Sequence, residues 1–549
     1  MRERYNINND GSLTLGVAAS NASDGSRDAA DFICSGAADE ATINTAIDSL
    51  PASGGSVELS EGLFTLNGPI LFDSNVTLRG QGNATTVKLA DNARSILAKN
   101  KNGSITNGTD NVGLFDIHFD GNKEAQGYIE DIAIVTAVAS TKKFAIAGNR
   151  TGDIVAGRTL NIAGGVNNGT FTVVGTEYVD PNTEIEVSAS ETVVNSAADG
   201  EMQMGEAYYA YLTGIHTENA SGNQGLGTVD FSNVNGIKIR NVKVTNGFPS
   251  CIELRTCSEF SITNCEIDGT GDDGIATNGA CFNGNISENT VKNIAVGVEA
   301  GGGAGIEIQD GCKDITCNSN LVDCPNIFVQ GIGITTHSSG SGNGVNVGPV
   351  RITVANNIVN QGAIKVAGVS GVTDAADIIV TGNVCTEMYN AIIFDDTKNC
   401  VCTNNTVHGY NNSSVALCMI RVTRSDDIII AGNIGSTASS SSSGALVELR
   451  DVCDGILIHN NLTVDMGYLV MSRVTPSAIA NLIIIGNVVK GAKGAFYITT
   501  GYAYNGMCKL NTFDYSVELA DHPTTDVATI SALNGTLVPL SNSPSSVDA

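Results

Sequence analysis

A short phrase of alternating β-branched residues that leads into an asparagine returns ten times between residues 231 and 510. An early copy reads I-T-N-C-E-I from Ile262, and a late copy reads I-I-I-G-N-V-V from Ile483. The asparagines that mark the ten copies are Asn241, Asn264, Asn289, Asn320, Asn357, Asn383, Asn405, Asn433, Asn461 and Asn487. Because successive markers are 22 to 37 residues apart, the pattern indicates stacked supersecondary units, none of which can bury its apolar face alone.

Each unit has the pattern of a strand, a turn and a second strand. Alternation sends every second side chain inward, and asparagine suits the bend because it tolerates left-handed backbone and hydrogen-bonds its neighbours. Stacked copies would join these amides in a ladder. Asparagine-rich turns between antiparallel strands are the alternative, but hairpin repeats space their turns more closely. We therefore predict an all-β chain, a right-handed parallel β-helix built as a solenoid.

Composition and charge exclude several classes of protein. The 63 glycines and the lack of tryptophan suit tight turns, and a hydrophobic fraction of 42% is enough for a long stacked core. A net charge of −28 argues against nucleic acid as a partner, since phosphate binding needs cationic side chains. No stretch is long and apolar enough for membrane insertion. The N-terminus lacks the apolar segment of a classical signal peptide, so we expect synthesis in the cytoplasm.

The fourteen cysteines follow no metal-binding spacing. Several occupy strand or turn positions in the repeats, where cysteine acts as a small hydrophobe in a protein made under reducing conditions. A stack of cysteines bridged by disulfides is the alternative.

The order of patterns along the chain predicts five segments. These are an extended lead-in (1–30), a capping helix with the first coils (31–131), an inserted small antiparallel β domain (132–206), the main parallel β-helix (207–512) and a C-terminal tail (513–549). The insert is predicted from short alternating strands separated by turn residues, with a plain spacer loop as the alternative.

The capping helix is predicted from an apolar face that begins after Asp39, a residue suited to the N-cap. Ile43, Ala46, Ile47 and Leu50 share that face. Pro51 and the glycine pair that follows would end the helix. A short amphipathic helix here would cover the open first coil, as the terminal units of solenoids require.

The run from Ala30 through G-G-S-V-E-L-S-E-G-L-F-T-L to V-T-L-R-G-Q-G, which ends at Gly82, resembles the opening of pectate-lyase-like β-helix proteins. It is most similar to the versions found in phage tail spikes and related virion appendages, and the insert resembles a module of phage structural proteins. The resemblance implies a virion or extracellular protein that binds cell-surface polysaccharide, forms a homotrimer and contacts other virion proteins.

That superfamily also includes enzymes and purely structural proteins, so the resemblance specifies the fold more than the activity. A polysaccharide depolymerase on an appendage is one interpretation. A free polysaccharide lyase, glycoside hydrolase or epimerase is a second, and a structural fibre or adhesin without enzymatic activity is a third.

Four acidic residues are the candidate catalytic groups. The phrases S-C-I-E-L-R-T, G-D-D-G-I-A-T-N and G-A-G-I-E-I-Q align on their isoleucines in successive coils. If each isoleucine points inward, Glu253 and Glu307 share an external column, and Asp272 and Asp273 lie at the adjacent turn. Two strand spacings put the glutamates about 9.6 Å apart, which approaches the separation of about 6.5–9.5 Å in inverting glycosidases.

The candidate substrate-binding residues are Arg255, Asn278, Gln309 and His337. Arg255 on the same face could bind an acidic sugar or keep a carboxylate ionised. His337 begins a Gly/Ser-rich loop that could fold over the groove. The same carboxylates could bind Ca²⁺, although no calcium-loop spacing is present and we predict no metal ligands. Asp-Gly pairs also suit turns without any catalytic role.

The phrase G-D-D-G-I, which contains Asp272 and Asp273, resembles the paired-aspartate motif of polygalacturonase-type glycosidases. In those enzymes the previous coil carries Asn-Thr-Asp and the next coil carries Gly-His-Gly. Here the matching positions read Phe248-Pro249-Ser250 and Gly303-Ala304-Gly305. Only the paired aspartates can therefore be carried over.

Overall fold

A computed structural model describes most of the chain from residue 6 to residue 514. The described residues are 6–7, 13–91, 93, 95–101, 108–122, 125, 132–151, 159–204, 227–247, 250–270, 272–294, 303–324, 330–336, 347–371, 373–388, 390–409, 418–436, 444–472, 479–490, 496–498, 504–509 and 512–514. The chain divides into two compact units, one formed by Met1–Ser232 and Val242–Glu253, the other by Asn233–Asn241 and Leu254–Ala549.

The first unit begins with two short helices. Glu40–Asp48 is the predicted amphipathic helix, and it buries Ile43, Ala46 and Ile47. Asp39 precedes it, but its carboxylate accepts the N–H groups of Gly36 and Thr65 instead of capping the helix.

The sequence pattern predicts an extended lead-in, but part of this segment is helical. Asp24–Ala29 is a helix whose first turn is capped by the Ser23 hydroxyl, which accepts the Ser26 N–H at 3.3 Å.

Parallel pairing dominates the strands of the first unit. Val76–Leu89 pairs with Gly55–Leu59 and Gly62–Leu66, and also with Thr109–Asp120. The remaining strands are Asn6–Ile7, Leu13–Ala18, Phe32–Ile33, Ile70–Phe72, Ala98–Asn100, Gly227–Ser232 and Lys243–Thr245, and Ser250–Arg255 crosses the boundary between the units.

A separate seven-stranded antiparallel sheet interrupts the coils, in agreement with the predicted insert. Its strands are Ile132–Val138, Lys143–Ala147, Thr159–Ala163, Gly169–Val179, Asn182–Val187, Ser196–Ala197 and Glu201–Met204. It has a hydrophobic core of its own, in which the rings of Phe144 and Phe171 meet edge to face with their centroids 5.0 Å apart.

The second unit is a parallel β-helix in which each coil contributes strands to three stacks. In one coil Ser258–Thr263 belongs to stack A, Glu266–Asp268 to stack B and Ile275–Asn278 to stack C. The next coil lies in register on it, since Ile262, Ile267 and Ile275 pair in parallel with Ile286, Val291 and Ile306. These inward residues are fully buried.

Stack A consists of Val234–Arg240, Ser258–Thr263, Phe282–Ser287, Lys313–Asn318, Val350–Ala355, Ala375–Ala376, Ile379–Thr381, Thr397–Lys398, Val401–Thr403, Ile429–Ala431, Cys453–Asp454, Leu457–His459, Ile479–Ile485 and Tyr504–Lys509. Stack B consists of Glu266–Asp268, Thr290–Lys292, Leu321–Asp323, Ile358–Asn360, Val384–Met388, Thr406–Gly409, Ile434–Ser436, Leu462–Val464, Val488–Lys490 and Thr512–Asp514. Stack C consists of Ile275–Asn278, Ala304–Gln309, Gln330–Thr335, Ala363–Ala367, Ile392–Asp395, Cys418–Thr423, Ala445–Arg450, Tyr468–Ser472 and Phe496–Ile498.

An asparagine ladder joins the coils at the corner between stacks A and B. Asn383 is typical: its backbone N–H and its side-chain amide both donate to Oδ1 of Asn405 at 2.9 Å, and its amide also donates to the carbonyl of Val354. Asn289, Asn320, Asn357, Asn383, Asn405, Asn433, Asn461 and Asn487 form this ladder, and all are almost completely buried. The predicted ladder is therefore present in eight coils.

The other two marker asparagines, Asn241 and Asn264, lie one position before the ladder. Both have left-handed backbone, with φ of 54° and 53°, and Asn264 donates to Oδ1 of Asn241. Cys265 occupies the ladder position of that coil, and its N–H donates to Asn289. At each corner one residue therefore has the left-handed backbone and the next residue forms the ladder bonds. The sequence pattern predicts both roles for a single asparagine.

The cysteines act as small buried side chains, as predicted. All thirteen whose side chains the structure describes are free thiols and buried. Burial raises the pKa of Cys317 and that of Cys385 to about 12, so these thiols stay protonated and unreactive. Within the described residues no helix combines the length and apolar character that crossing a membrane requires.

Candidate functional site

Three neighbouring strands of stack C carry the candidate site of the second unit. Ile275–Asn278 pairs with Ala304–Gln309, which pairs with Gln330–Thr335. The register places Ala276 beside Glu307 and Glu307 beside Gly333. Since Ile306 and Ile308 point into the core, Glu307 and Gln309 lie on the outer face, as the alignment of the phrases predicted.

Asp272 and Asp273, which precede the first of these strands, lie together with Glu307 of the second strand. The Asp273 carboxylate accepts the backbone N–H of Ala304 in the next coil at 2.7 Å and is hydrogen-bonded to the carboxyl group of Glu307. Glu307 in turn accepts the hydroxyl of Thr335 at 2.7 Å. Three of the four predicted catalytic residues thus form one cluster across successive coils.

The turn before the strand holds the two aspartates in place. The Thr270 hydroxyl donates to the carbonyl of Asp273 and accepts the N–H of Asp272. A threonine two residues before the pair therefore closes a tight turn, which is the structural role that Asp-Gly phrases were also expected to have. The same turn directs the carboxyl group of Asp273 towards the next coil.

The cluster is buried, whereas the sequence pattern predicts an external column of carboxylates beside a groove. Asp272 and Asp273 are each 4% exposed and Glu307 is 6% exposed. The carboxyl groups point onto donors of the next coils, the Ala304 N–H and the Thr335 hydroxyl, instead of extending into solvent.

Burial and charge together change the acidity of the cluster. Burial raises the pKa of Asp273 well above its ordinary value, and the neighbouring charges of Asp272 and Glu307 raise it further. The hydrogen bond from Ala304 acts in the opposite direction and is the weaker influence. Asp273 therefore keeps a proton at a pH at which a solvated aspartic acid is ionised.

The remaining predicted residues have other positions. Glu253 is 2% exposed on Ser250–Arg255, and its separation from Glu307 stays a prediction. Arg255 and Gln309 are 9% and 7% exposed, so neither presents a free surface group. The carbonyl of Asn278 accepts the N–H of Thr256 at 3.0 Å. His337 lies outside the described residues.

This chain differs from the polygalacturonase-type pattern at the position of the histidine. Where that pattern has its histidine, this chain has Ala304, whose backbone N–H binds Asp273 directly. Phe248 and Pro249 of the previous coil lie outside the described residues. A main-chain donor thus occupies the place of a titratable side chain.

Sequence reasoning missed Thr335 and Thr270. Thr335 could have been found by aligning the phrase Q-G-I-G-I-T with G-A-G-I-E-I-Q, since both contain a glycine followed by an inward isoleucine. Among the described residues, no group of three or more His, Cys, Asp or Glu side chains is arranged to hold a metal ion.

Comparison with known proteins supports the fold. Residues 206–345 match the family described as the right handed beta helix region. The N-terminal fragment of gene product 12 from bacteriophage phi29 is 14% identical, with a TM-score of 0.51 over 87% of this chain and 68% of that chain. No curated protein matches the sequence significantly.

Two further solved structures illustrate the range of similar proteins. The A-module of the mannuronan C-5 epimerase AlgE6 from Azotobacter vinelandii is 14% identical, with a TM-score of 0.45 over 87% of this chain and 96% of that chain. The tailspike gp61 of Pseudomonas phage phi297 is 13% identical, with a TM-score of 0.39 over 83% of this chain and 73% of that chain. The family match and the in-register stacks show that this chain has the fold of a right-handed parallel β-helix.

Proposed function

We propose that this protein binds a polysaccharide along stack C and cleaves it with the Asp273–Glu307 pair. The observation that carries the proposal is the hydrogen-bonded, buried pair in which Asp273 has a raised pKa. Enzymes that act through two neighbouring carboxyl groups keep one protonated and one ionised, because differences in environment set their pKa values apart. Asp273 is the residue that donates a proton to the glycosidic oxygen of the leaving sugar. Glu307, oriented by Thr335, is the residue that accepts a proton, either from water in hydrolysis or from the sugar ring in elimination.

The biological setting that fits best is a virion appendage resembling a tail spike. The opening motif and the inserted β sheet support this setting, and so does a shared fold with a bacteriophage protein. In that setting the protein is extracellular once assembled, forms a homotrimer and contacts other virion proteins. Its polysaccharide partner lies on the surface of the host cell.

The direct test is depolymerisation of capsular or exopolysaccharide, followed as loss of viscosity. Asp273→Asn and Glu307→Gln should each abolish the loss of viscosity while the thermal unfolding curve remains cooperative. Asp314→Asn is the matched control, because Asp314 is an exposed carboxylate on stack A that pairs only with Arg351 among the described residues. Full activity of Asp273→Asn would overturn the assignment.

The products decide the type of reaction. Saturated reducing ends indicate hydrolysis, and 4,5-unsaturated ends indicate elimination by a lyase. Calcium is a separate proposal: carboxylates at the site could recruit it, and activity that is lost with a chelator and restored by Ca²⁺ would support it.

Burial of the cluster favours a second candidate, a receptor-binding fibre or adhesin without enzymatic activity. In that case Asp273 holds two coils together through Ala304 and never meets substrate. Glycan binding with no product formation would support this candidate. Activity in a protein that never associates with particles would instead support a free lyase, hydrolase or epimerase.

A further inference from the structure

Beyond the carboxyl cluster, the outer face of stack C carries cations. Successive coils place Glu307, Gly333, Lys365, Ile393, Arg421 and Glu448 side by side in one column. The column two residues further along each strand contains Thr335, Ala367, Asp395, Thr423 and Arg450. Three basic side chains therefore lie on one face of a protein whose net charge is −28.

Arg450 forms an ion pair with Glu448, and Arg421 lies beside Glu448 in the first column. Glu448 is completely buried, and Nη2 of Arg450 lies 2.9 Å from its Oε2. Among the described residues, neither oxygen of Glu448 has an aligned hydrogen-bond donor, and Nε of Arg421 and Nε of Arg450 have no acceptor. Charge therefore holds Arg450 on Glu448, while the buried Nε atom of each of the two arginines lacks an acceptor among the described residues.

Other carboxylates nearby do not supply the missing acceptor. Asp395 lies between Ala367 and Thr423 in the second column, but its Oδ1 accepts a hydrogen bond from Nη2 of Arg424 at 2.5 Å. The same arginine also donates to Asp396 and Asp451. Burial lowers the pKa of Arg421, and the positive charge of Arg450 lowers it further. The carboxylates of Asp395 and Glu448 act in the opposite direction, and an anionic ligand on the outer face would stabilise the charged form of Arg421 further.

Part of each guanidinium group remains within reach of solvent. The side chain of Arg450 is 34% exposed, and Arg421 is half-buried. The ion pair with the buried Glu448 holds the guanidinium group of Arg450 in place. An arginine fork held in this way matches the two oxygens of a carboxylate or sulfate.

We propose that Lys365, Arg421 and Arg450 form an anion subsite that binds the carboxylate or sulfate groups of an acidic polysaccharide. The proposal rests on the proposed function and names the class of its substrate. Two strand spacings, about 9.6 Å, separate Glu307 from Lys365 and Lys365 from Arg421. One glycan chain along the outer face thus places its anionic groups on these cations and a glycosidic bond at the Asp273–Glu307 pair.

The test is the affinity of the full-length protein for polygalacturonate, alginate and dextran sulfate, with unmodified dextran as the neutral probe. Arg421→Gln is the informative variant because it leaves the ion pair between Arg450 and Glu448 intact. The loss of charge-assisted hydrogen bonds should raise the Kd for at least one acidic probe about tenfold or more. Lys365→Gln should have a smaller effect of the same sign, and both variants should bind the acidic probe with a weaker dependence on salt.

Arg351→Gln is the matched control, since Arg351 is an exposed arginine on stack A that pairs with Asp314. Its affinity should equal that of the wild type. An unchanged Kd in a folded Arg421→Gln protein, or failure of the wild type to bind any of the three acidic probes, overturns the subsite. The Asp273→Asn protein separates the two proposals, because it should lose turnover and keep wild-type affinity for the acidic probe.

Discussion

At the scale of single residues, the ladder asparagines should contribute far more to stability than their neighbours. Asn405→Ala removes the oxygen that accepts both donors of Asn383, and a buried donor left without a partner costs about 1–3 kcal/mol. We expect the free energy of unfolding to fall by about 3 kcal/mol, measured by denaturant titration.

The adjacent residue provides the control. Asn404 is exposed and has a φ of 56°, a conformation that glycine adopts without strain. Asn404→Gly should therefore change the free energy of unfolding by less than about 1 kcal/mol. Equal losses at the two positions would contradict the separation of roles at this corner.

The carboxyl cluster predicts a pH-dependent difference in stability. The folded-state pKa of Asp273 is raised, so its contribution to stability is complete below its unfolded pKa and is lost as the pH rises through the folded value. Asp273→Asn mimics the protonated form and retains an acceptor for the Ala304 N–H. Its stability relative to the wild type should therefore increase from pH 4 to pH 8, measured by chemical denaturation at each pH.

The same series on Asp314→Asn has the opposite sign, because the guanidinium of Arg351 lowers the pKa of Asp314. This variant should lose stability relative to the wild type as the pH rises from acid to neutral. A parallel response of the two variants would show that the pH dependence does not arise from these carboxyl groups.

Sequence reasoning located the cluster but not its contacts. Aligning the phrases on their isoleucines placed Asp272, Asp273 and Glu307 in adjacent coils, because strand periodicity fixes which side chains share a face. The bonds from Ala304 and Thr335 could not be predicted, since they depend on the path of corners whose lengths differ from coil to coil. For the same reason the burial of the three carboxyl groups could not be predicted from the sequence.

At the scale of elements, a column of glycines brings stack C close to stack B. A Cβ added at Gly331 would lie 2.3 Å from Cγ1 of Val359, and one at Gly305 would lie 2.3 Å from Cγ1 of Val322. Valine is fixed at χ1 and cannot move aside. Gly331→Ala should therefore destabilise the protein by about 1–3 kcal/mol through overpacking, measured by denaturant titration.

Gly25 is the control for that substitution. It lies in the helix Asp24–Ala29, and a Cβ there would meet no atom within 4 Å. Gly25→Ala should leave stability unchanged or raise it by about 0.5–1 kcal/mol, since alanine favours the helix. If Gly331→Ala were equally harmless, stacks B and C would not be in the close contact that the distances indicate.

The elements that sequence reasoning found are those with a buried face. Every stack alternates inward and outward residues, and Glu40–Asp48 has the apolar face of an amphipathic helix. The helix Asp24–Ala29 buries none of its residues, so its sequence carries no hydrophobic period. Only its serine cap distinguishes it from an extended segment.

At the scale of the whole molecule, two electrostatic effects compete. The chain has 57 acidic and 29 basic residues, so even complete ion pairing would leave 28 negative charges without a partner. Exposed ion pairs such as Arg351–Asp314 contribute little to stability and are screened by salt. Salt also screens the repulsion among the uncompensated carboxylates. Because acidic residues greatly outnumber basic ones, we expect this repulsion to outweigh the attraction within ion pairs.

We therefore expect the protein to become more stable as salt is added at pH 7. The free energy of unfolding should rise between 20 mM and 200 mM NaCl, and KCl at equal ionic strength should give the same increase, because screening does not depend on which monovalent cation is present. The increase should shrink at pH 5, where part of the carboxylates are protonated and the repulsion is already weaker. A fall in stability with salt would mean that networks such as the one around Arg424, which joins three coils through Asp395, Asp396 and Asp451, outweigh the repulsion of the entire chain.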